Sequence, residues 1–376
     1  MNMIRNHLFI IIGEEHYNPL GAIRSLGMAG IHPVYIAVRG KSEVASKSRY
    51  VKENICVADI REAYSVLTER FSGQKEKPFV ITTDDDIQSL LDEHYEELKK
   101  DFIFFNAGST GQITKYMDKK AILDLAEKHG LNVLKTTVVK NGDIPDNTEY
   151  PVITKSISPN IGGWKADVHI CSNRDELKEA YKNIKSPLVL LQRFIEKKNE
   201  YCLDGFSINR GKKMFVPTVS IYNYTIRGYY SPYMTVYPFT DKKMKQALTG
   251  MLSEIGFEGI FSIEFLIDED GTYYFTEINF RNSTWSYIAA KLGMPIPVLW
   301  AEAMLSGEIS EGWYRPVPDH YTAMVEPIDY AKRVEEGRIS PADWLIDFKM
   351  TDCPFYLDAD DPEPFYEMVR NWRKLG

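Results

Sequence analysis

The sequence predicts an α/β protein in two parts: a doubly wound parallel sheet at the N-terminus, followed by an α+β body in which short strands dominate and helices interrupt. Three observations predict it. Apolar runs alternate with amphipathic stretches over residues 8–105. Short strands separated by turn signals dominate beyond residue 130. A hairpin centred near residue 270 places its charged residues on one face and its apolar residues on the other.

Residues 8–12 form an uninterrupted apolar run, the pattern of a parallel strand covered on both faces. A turn leads into a helix over 20–29 ending at Gly30, and a strand over 34–38 follows. A helix over 62–71, a strand over 79–82, a helix over 87–99 and a strand over 102–105 complete the alternation of a doubly wound sheet. Small polar residues at 106–111 mark a boundary. Residues 116–129 read as an amphipathic helix, with Met117, Ala121, Ile122, Leu125 and Ala126 on one stripe and Gly130 at its end. Strands are expected over 133–139, 152–156, 189–194, 201–209 and 213–222, and helices over 174–183, 241–255, 287–292 and 297–306. The Pro-rich tail from 329 is expected to pack on the body. The organisation predicted is 1–107, 108–186, 187–328 and 329–376.

With 376 residues the chain is long enough for two or three domains. Its net charge of −8 and the lack of a Lys/Arg run argue against nucleic acid as the main partner. The four cysteines are widely spaced, without a C-x-x-C pair, which disfavours a zinc site or a disulfide framework. The opening apolar run is too short for a signal peptide, and no stretch reaches membrane-spanning length, so a cytoplasmic protein with no membrane partner is expected.

The chemistry concentrates in the hairpin. Asp270-Gly271 between two alternating runs is a strong hairpin signal. With those two residues at the centre of the turn, Glu264 faces Glu277 and Ser262 faces Asn279, so Glu264, Glu277 and Asn279 share one face. Carboxylates held about 5 Å apart repel by roughly 3 kcal/mol at an effective dielectric near 20, unless a cation lies between them. Oxygen-only ligands suit Mg²⁺, which in such settings usually accompanies a nucleotide phosphate.

Other segments could serve the same site. Lys155 leaves an apolar strand shortly before Gly162-Gly163, suited to phosphate binding by an ammonium and backbone N–H groups. Taken alone, the glycine pair also reads as a plain turn. The strand ending in Gln192, Arg193, Phe194 and Ile195 could offer backbone groups to an adenine edge, with Glu200 reaching ribose hydroxyls; a plain buried strand reads the same way. Arg281 returns to the carboxylate face, where it could neutralise charge developing on a phosphoryl group or pair with one of the glutamates. Arg227, among six tyrosines, could take a substrate carboxylate, although aromatic-rich strands usually fill cores. The acidic run Asp84-Asp85-Asp86 reads as a helix cap with a solvated turn.

Taken in order, Asp118-Lys119, the Pro151-to-Lys155 strand with its glycine loop, Gln192 to Ile195, Glu200, Glu264 and the Glu277–Asn279–Arg281 run resemble the ATP-grasp superfamily. The likeness spans roughly 110–305, and the α/β region before it resembles the family's preceding domain. Within the superfamily, residues 20–27, the Thr82-to-Asp85 stretch and the 344–364 tail look most like D-aspartate-ligase-type, carbamoyl-phosphate-synthetase-like carboxylate–amine ligases. Ser156, where many relatives carry proline, and Arg193 in the hinge depart from the pattern.

The resemblance implies a two-subdomain ATP-grasp fold behind the N-terminal domain. It implies that Lys119 and Lys155 hold the ATP phosphates and that Gly162 and Gly163 close over the γ-phosphate. Gln192, Arg193, Phe194 and Ile195 would frame adenine, and Glu200 the ribose. Glu264, Glu277 and Asn279 would bind one or two Mg²⁺, with Mn²⁺ able to substitute. A substrate carboxylate would attack the γ-phosphate, giving an acyl phosphate that Arg281 and Lys155 stabilise until an amine displaces phosphate. Arg227 and Arg24 are the expected substrate contacts, and a homodimer is in keeping with related enzymes. A carboxylase-type or kinase-like phosphoryl transferase, and a non-catalytic ATP-binding protein, are the alternatives on the same site.

Overall fold

The computed structural model describes residues 3–38, 43–157, 167–226 and 230–375. The N-terminal sheet is parallel throughout and has the order β3-β2-β1-β4-β5. Its strands are β1 (Phe9–Glu14), β2 (Val34–Val38), β3 (Glu53–Val57), β4 (Phe79–Thr82) and β5 (Ile103–Phe104). Between them run α1 (Tyr17–Gly27), α2 (Ile60–Phe71), α3 (Asp85–Glu93) and α4 (Tyr95–Leu98). The expected doubly wound sheet is present. The direction of winding reverses between β1 and β4, which opens a crevice at their carboxyl ends. Their approach there is close: a Cβ on Gly13 would stand 1.8 Å from Thr83 Oγ1, so only glycine fits.

One expected helix is broken in two: the 87–99 segment divides at His94 into α3 and α4. The helix expected over 116–129 is α6 (Lys119–Lys128), preceded by a short α5 (Gln112–Tyr116). Asp118 between them is extended and accepts a hydrogen bond from the Ala121 N–H at 2.9 Å, an N-cap that sets where α6 starts.

A four-stranded antiparallel sheet follows, in the order β6-β9-β7-β8. It comprises β6 (Thr136–Lys140), β7 (Val152–Lys155), β8 (Ile170–Cys171) and β9 (Leu188–Arg193), with α7 (Arg174–Tyr181) packed on it over Val139, Val152, Leu177 and Val189. The largest sheet has the order β14-β13-β10-β11-β12-β15-β16. Its strands are β10 (Asn199–Ile208), β11 (Lys213–Tyr222), β12 (Tyr233–Pro238), β13 (Gly259–Ile267), β14 (Tyr273–Asn279), β15 (Thr322–Met324) and β16 (Cys353–Pro354). One face of this sheet is covered by α8 (Lys242–Ile255), α9 (Ser286–Lys291) and α10 (Ile296–Ser306). Fully buried Trp300 of α10 meets Phe79 and Phe105 edge-on, at 5.5 and 4.8 Å between ring centroids, so one core runs from the N-terminal sheet into the body.

The tail contributes α11 (Glu326–Tyr330), α12 (Pro341–Met350), strand β16 and α13 (Glu363–Leu375). It is pinned to α1 by Arg24. That guanidinium is 1% exposed and donates to Asp361 Oδ2 (2.9 Å) and to the carbonyls of Phe355 (2.8 Å), Tyr356 (3.0 Å) and Asp361 (2.7 Å). No helix among the described residues is long and apolar enough to cross a membrane.

Candidate active site

The hairpin supplies the first wall. Glu264 pairs with Glu277 and Ser262 with Asn279, as expected, while Ile263, Phe265, Ile267 and Ile278 are buried on the other face. The route to that register differs from the expected one. Ile267 pairs with Tyr273, so the connection is a five-residue loop rather than a two-residue turn. Asp268 Oδ1 closes it by accepting from the N–H groups of Asp270 (3.1 Å) and Thr272 (2.8 Å). An extra residue in β14, Thr276, then shifts the pairing back by one, and its hydroxyl donates to the Glu264 carbonyl at 2.8 Å.

Neighbouring β10 extends this wall. Cys202 pairs with Glu264 and Asp204 with Ser262, so the period of two puts Glu200 and Asp204 on the face that carries Glu264, Glu277 and Asn279. Glu264 and Glu277 are half-buried and Glu200 is buried. Burial first, then the charges of Glu277 and Glu200, hold the Glu264 carboxyl well above the usual carboxylate range. Among the described residues no set of three or more His, Cys, Asp or Glu is arranged as a metal centre. The donors at hand are two carboxylates and one amide. That hard, oxygen-only set, which leaves positions for water and phosphate, fits Mg²⁺ rather than a softer metal.

The opposite wall comes from β7 and β9. Ile153 pairs with Gln192 and Lys155 with Leu190, so Lys155 and Gln192 are diagonal neighbours on one face. Lys155 Nζ donates to Gln192 Oε1 at 2.9 Å, and Gln192 Nε2 donates to Thr136 Oγ1 at 2.9 Å. Burial, and after it the nearby Lys119 ammonium, pull the Lys155 pKa down to about 8, against the raising influence of Glu277 and Glu200. Lys119 opens α6, where its N–H donates to the Ile157 carbonyl at 3.0 Å. Lys155 therefore lies within electrostatic reach of Lys119, Glu277 and Glu200.

Two cavities adjoin there. One, about 330 Å³, is lined by apolar Ile153, Ile170, Phe194 and Ile195 together with Lys155 and Gln192. The other, about 410 Å³, is lined by Glu200, Glu264, Glu277, Asn279, Arg281 and Ser283 among others. Lys197 borders both and pairs with Glu200. In the hinge, the N–H of Arg193 goes to Lys135 O and that of Phe194 to Pro151 O, each at 2.9 Å, and the Arg193 side chain points to solvent. A larger hollow of about 650 Å³ between α6 and α8 lies on the other side of the hairpin and shares none of these charged groups.

Arg281 joins this site to the N-terminal sheet. It pairs with Asp85 rather than with a glutamate: Nε to Oδ1 at 2.9 Å and Nη2 to Oδ2 at 3.4 Å, with Nη2 also 3.3 Å from Asn279 Oδ1. Burial would lower its pKa, but Asp85, Asp84 and Glu277 hold it above the usual value. The acidic run at 84–86 does start α3, with Asp84 at the N-cap position and Asp86 exposed, but Asp84 and Asp85 are half-buried and turned to other partners. Asp84 accepts from the Glu14 N–H at 2.9 Å across the crevice, and Asp85 reaches the site. Nearby, the Asn18 and Asn282 side chains lock the crevice to the end of β14 through a 2.8 Å bond. An acidic residue at the carboxyl end of a strand beside a winding reversal was the available signal.

The expectation for Arg24 is corrected. Four of its five N–H donors go to Asp361 and three carbonyls, and the side chain is buried in the core, out of reach of a substrate. Arg227, Gly162 and Gly163 lie outside the described residues.

Residues 118–305, half of the chain, match the family described as carbamoyl-phosphate synthase L chain, ATP binding domain, and the chain belongs to this ATP-grasp family. Similar solved structures include the L-amino acid ligase from Bacillus licheniformis, with 17% identity, TM-score 0.62, and 85% of this chain and 79% of that one covered. N5-carboxyaminoimidazole synthetase from Staphylococcus aureus has 14% identity and TM-score 0.64, covering 89% and 86%. Biotin carboxylase from Campylobacter jejuni has 16% identity and TM-score 0.63, covering 84% and 75%. Likeness at these identities shows the fold. No curated protein matches the sequence.

Proposed function

We propose that the chain is an ATP-dependent, ADP-forming ligase that activates a carboxylate as an acyl phosphate and joins it to an amine. The observation that carries this reading is the convergence of Lys155, Glu264, Glu277, Asn279 and Arg281 on two adjoining cavities, one apolar and one charged, with the Lys119 ammonium near enough to Lys155 to lower its pKa. In this reading the apolar cavity takes adenine alongside Arg193, Phe194 and Ile195, which line it, and Glu200 takes the ribose. Lys119 and Lys155 bind the phosphates. Glu264, Glu277 and Asn279 hold Mg²⁺, which when bound offsets charge on the β- and γ-phosphates.

The substrate carboxylate oxygen attacks the γ-phosphorus, the bond to the β-phosphate oxygen breaks, and ADP is the leaving group. Arg281 lies against Asn279 and faces the charge that develops on the transferred group. The amine then attacks the acyl carbon and phosphate departs. Positioning and electrostatics supply the catalysis, as in phosphoryl transfer generally.

The test is release of ADP and phosphate that requires both an acid and an amine, with mass measurement of the product. Glu277→Gln should lower turnover on the order of 10²–10³-fold while leaving the circular dichroism spectrum unchanged. ADP release supported by bicarbonate without an amine would instead favour the carboxylase-type reading.

A further inference from the structure

The ligase reading leaves one proton unassigned. As the amine forms its bond to the acyl carbon, its nitrogen becomes positively charged and must lose a proton before the amide is stable. We propose that Ser283 takes that proton and passes its own to Asp204. This rests on the ligase reading given above.

Asp204 is 4% exposed on β10 and opposes Ser262 across the pairing with β13. Ser283 Oγ donates to Asp204 Oδ1, and the Ser262 hydroxyl also bonds to this carboxylate. Both serines line the charged cavity beside Arg281, so Asp204 sits behind them and reaches the cavity only through their hydroxyls. Ser283 Oγ accepts from the Trp285 N–H at 3.2 Å. A hydroxyl oxygen has two lone pairs, so one is left for a proton donor in the cavity. The place is right as well: Ser283 follows Arg281 by two residues, and Arg281 is the group assigned to the acyl phosphate. The charged groups facing Asp204 are Arg281, committed to Asp85, and Glu264 on the neighbouring strand. Burial raises the Asp204 pKa to about 6, so it is ionised at neutral pH yet more basic than a carboxylate in water.

The step balances without a further reactant. The nitrogen lone pair forms the C–N bond while the C–O bond to the phosphoryl group breaks, its electrons leaving on phosphate. The N–H proton moves to Ser283 Oγ as the Ser283 proton moves to Asp204 Oδ1. Asp204 returns it to solvent when the product leaves.

The experiment separates the two half-reactions with hydroxylamine, a nucleophile weakly basic enough to give up its proton to water. The full-length enzyme, with an acid that supports ADP release, is offered either hydroxylamine or an ordinary amine. Ser283→Ala and Asp204→Asn are expected to keep hydroxamate formation within about two-fold and to lose about 10²–10⁴-fold in amide formation, the usual span for a general base. Ser283→Thr, which keeps a hydroxyl, should restore most of the amide rate. Hydroxamate and amide rates falling together would overturn the relay, because Ser283 would then serve the phosphoryl step or the fold. An unchanged amide rate would overturn it too. A wild-type enzyme that forms neither hydroxamate nor ADP with any acid removes the ligase reading itself, a different failure.

Discussion

Replacing Asp85 by asparagine keeps the size of the side chain and removes its charge from Arg281. The pair is held by contacts of 2.9 and 3.4 Å, with 29% of the aspartate and 21% of the arginine side chain exposed. An asparagine oxygen can keep one contact, but its amide NH₂ would meet a guanidinium N–H and repel it. A hydrogen bond to a charged group contributes about 1.5–3 kcal/mol, and partial exposure lowers that to about 1–2 kcal/mol. Arg281 is the group proposed to face charge in the transition state, so the loss should fall on turnover. About 1–2 kcal/mol is a 5- to 30-fold drop in kcat, with a smaller change in the KM for ATP because adenine and the lysines are untouched. A coupled ADP-release assay over a range of ATP concentrations reads both constants. An unchanged kcat, or an effect confined to the KM for ATP, would refute the idea that the N-terminal sheet aims Arg281.

Two further outcomes follow from the structure. Lys155, pulled down to about 8, is an ammonium below that pH and loses its proton as pH rises through it in the ATP-free enzyme. Bound phosphates favour the charged form, so the dissociation constant for ATP should climb by up to about ten-fold per pH unit above 8, while Lys155→Met should bind weakly with no such climb; equilibrium titration with a fluorescent ATP analogue checks this. Arg24→Met strands Asp361 as a buried charge supported only by Ser48 and the Arg49 N–H, and should cost about 3–5 kcal/mol in urea unfolding, part of which Arg24→Met/Asp361→Leu recovers.

Local pattern carried far in this chain because parity survives small errors. The facing of Glu264 and Glu277 was legible although the turn was misread, since one residue lost at the Asp268–Thr272 loop is matched by one gained at Thr276. Apolar runs announced β1, β2 and β4, whereas β3 opens on Glu53-Asn54, is mostly exposed at a sheet edge and offers only three apolar residues, too short a run to signal a strand. What the pattern could not show were long-range partners. Asp85 and Arg281 stand 196 positions apart and Arg24 and Asp361 stand 337 apart, and neither residue carries a local mark of the other. Motif likeness placed Arg24 in a substrate role because the segment resembled a family stretch; only the return of the tail reveals that four of its donors are occupied.

The Arg24 anchor also bears on how the chain is made. Synthesis delivers α1 early, yet four of its arginine's hydrogen bonds end on residues 355–361. Until those residues leave the ribosome, the N-terminal sheet carries an unsatisfied cation at a position that will later exclude water. A helix made hundreds of residues earlier is therefore finished only when residues 355–361 arrive, and a chain stopped short of residue 361 should expose α1 to proteases that the 376-residue chain resists.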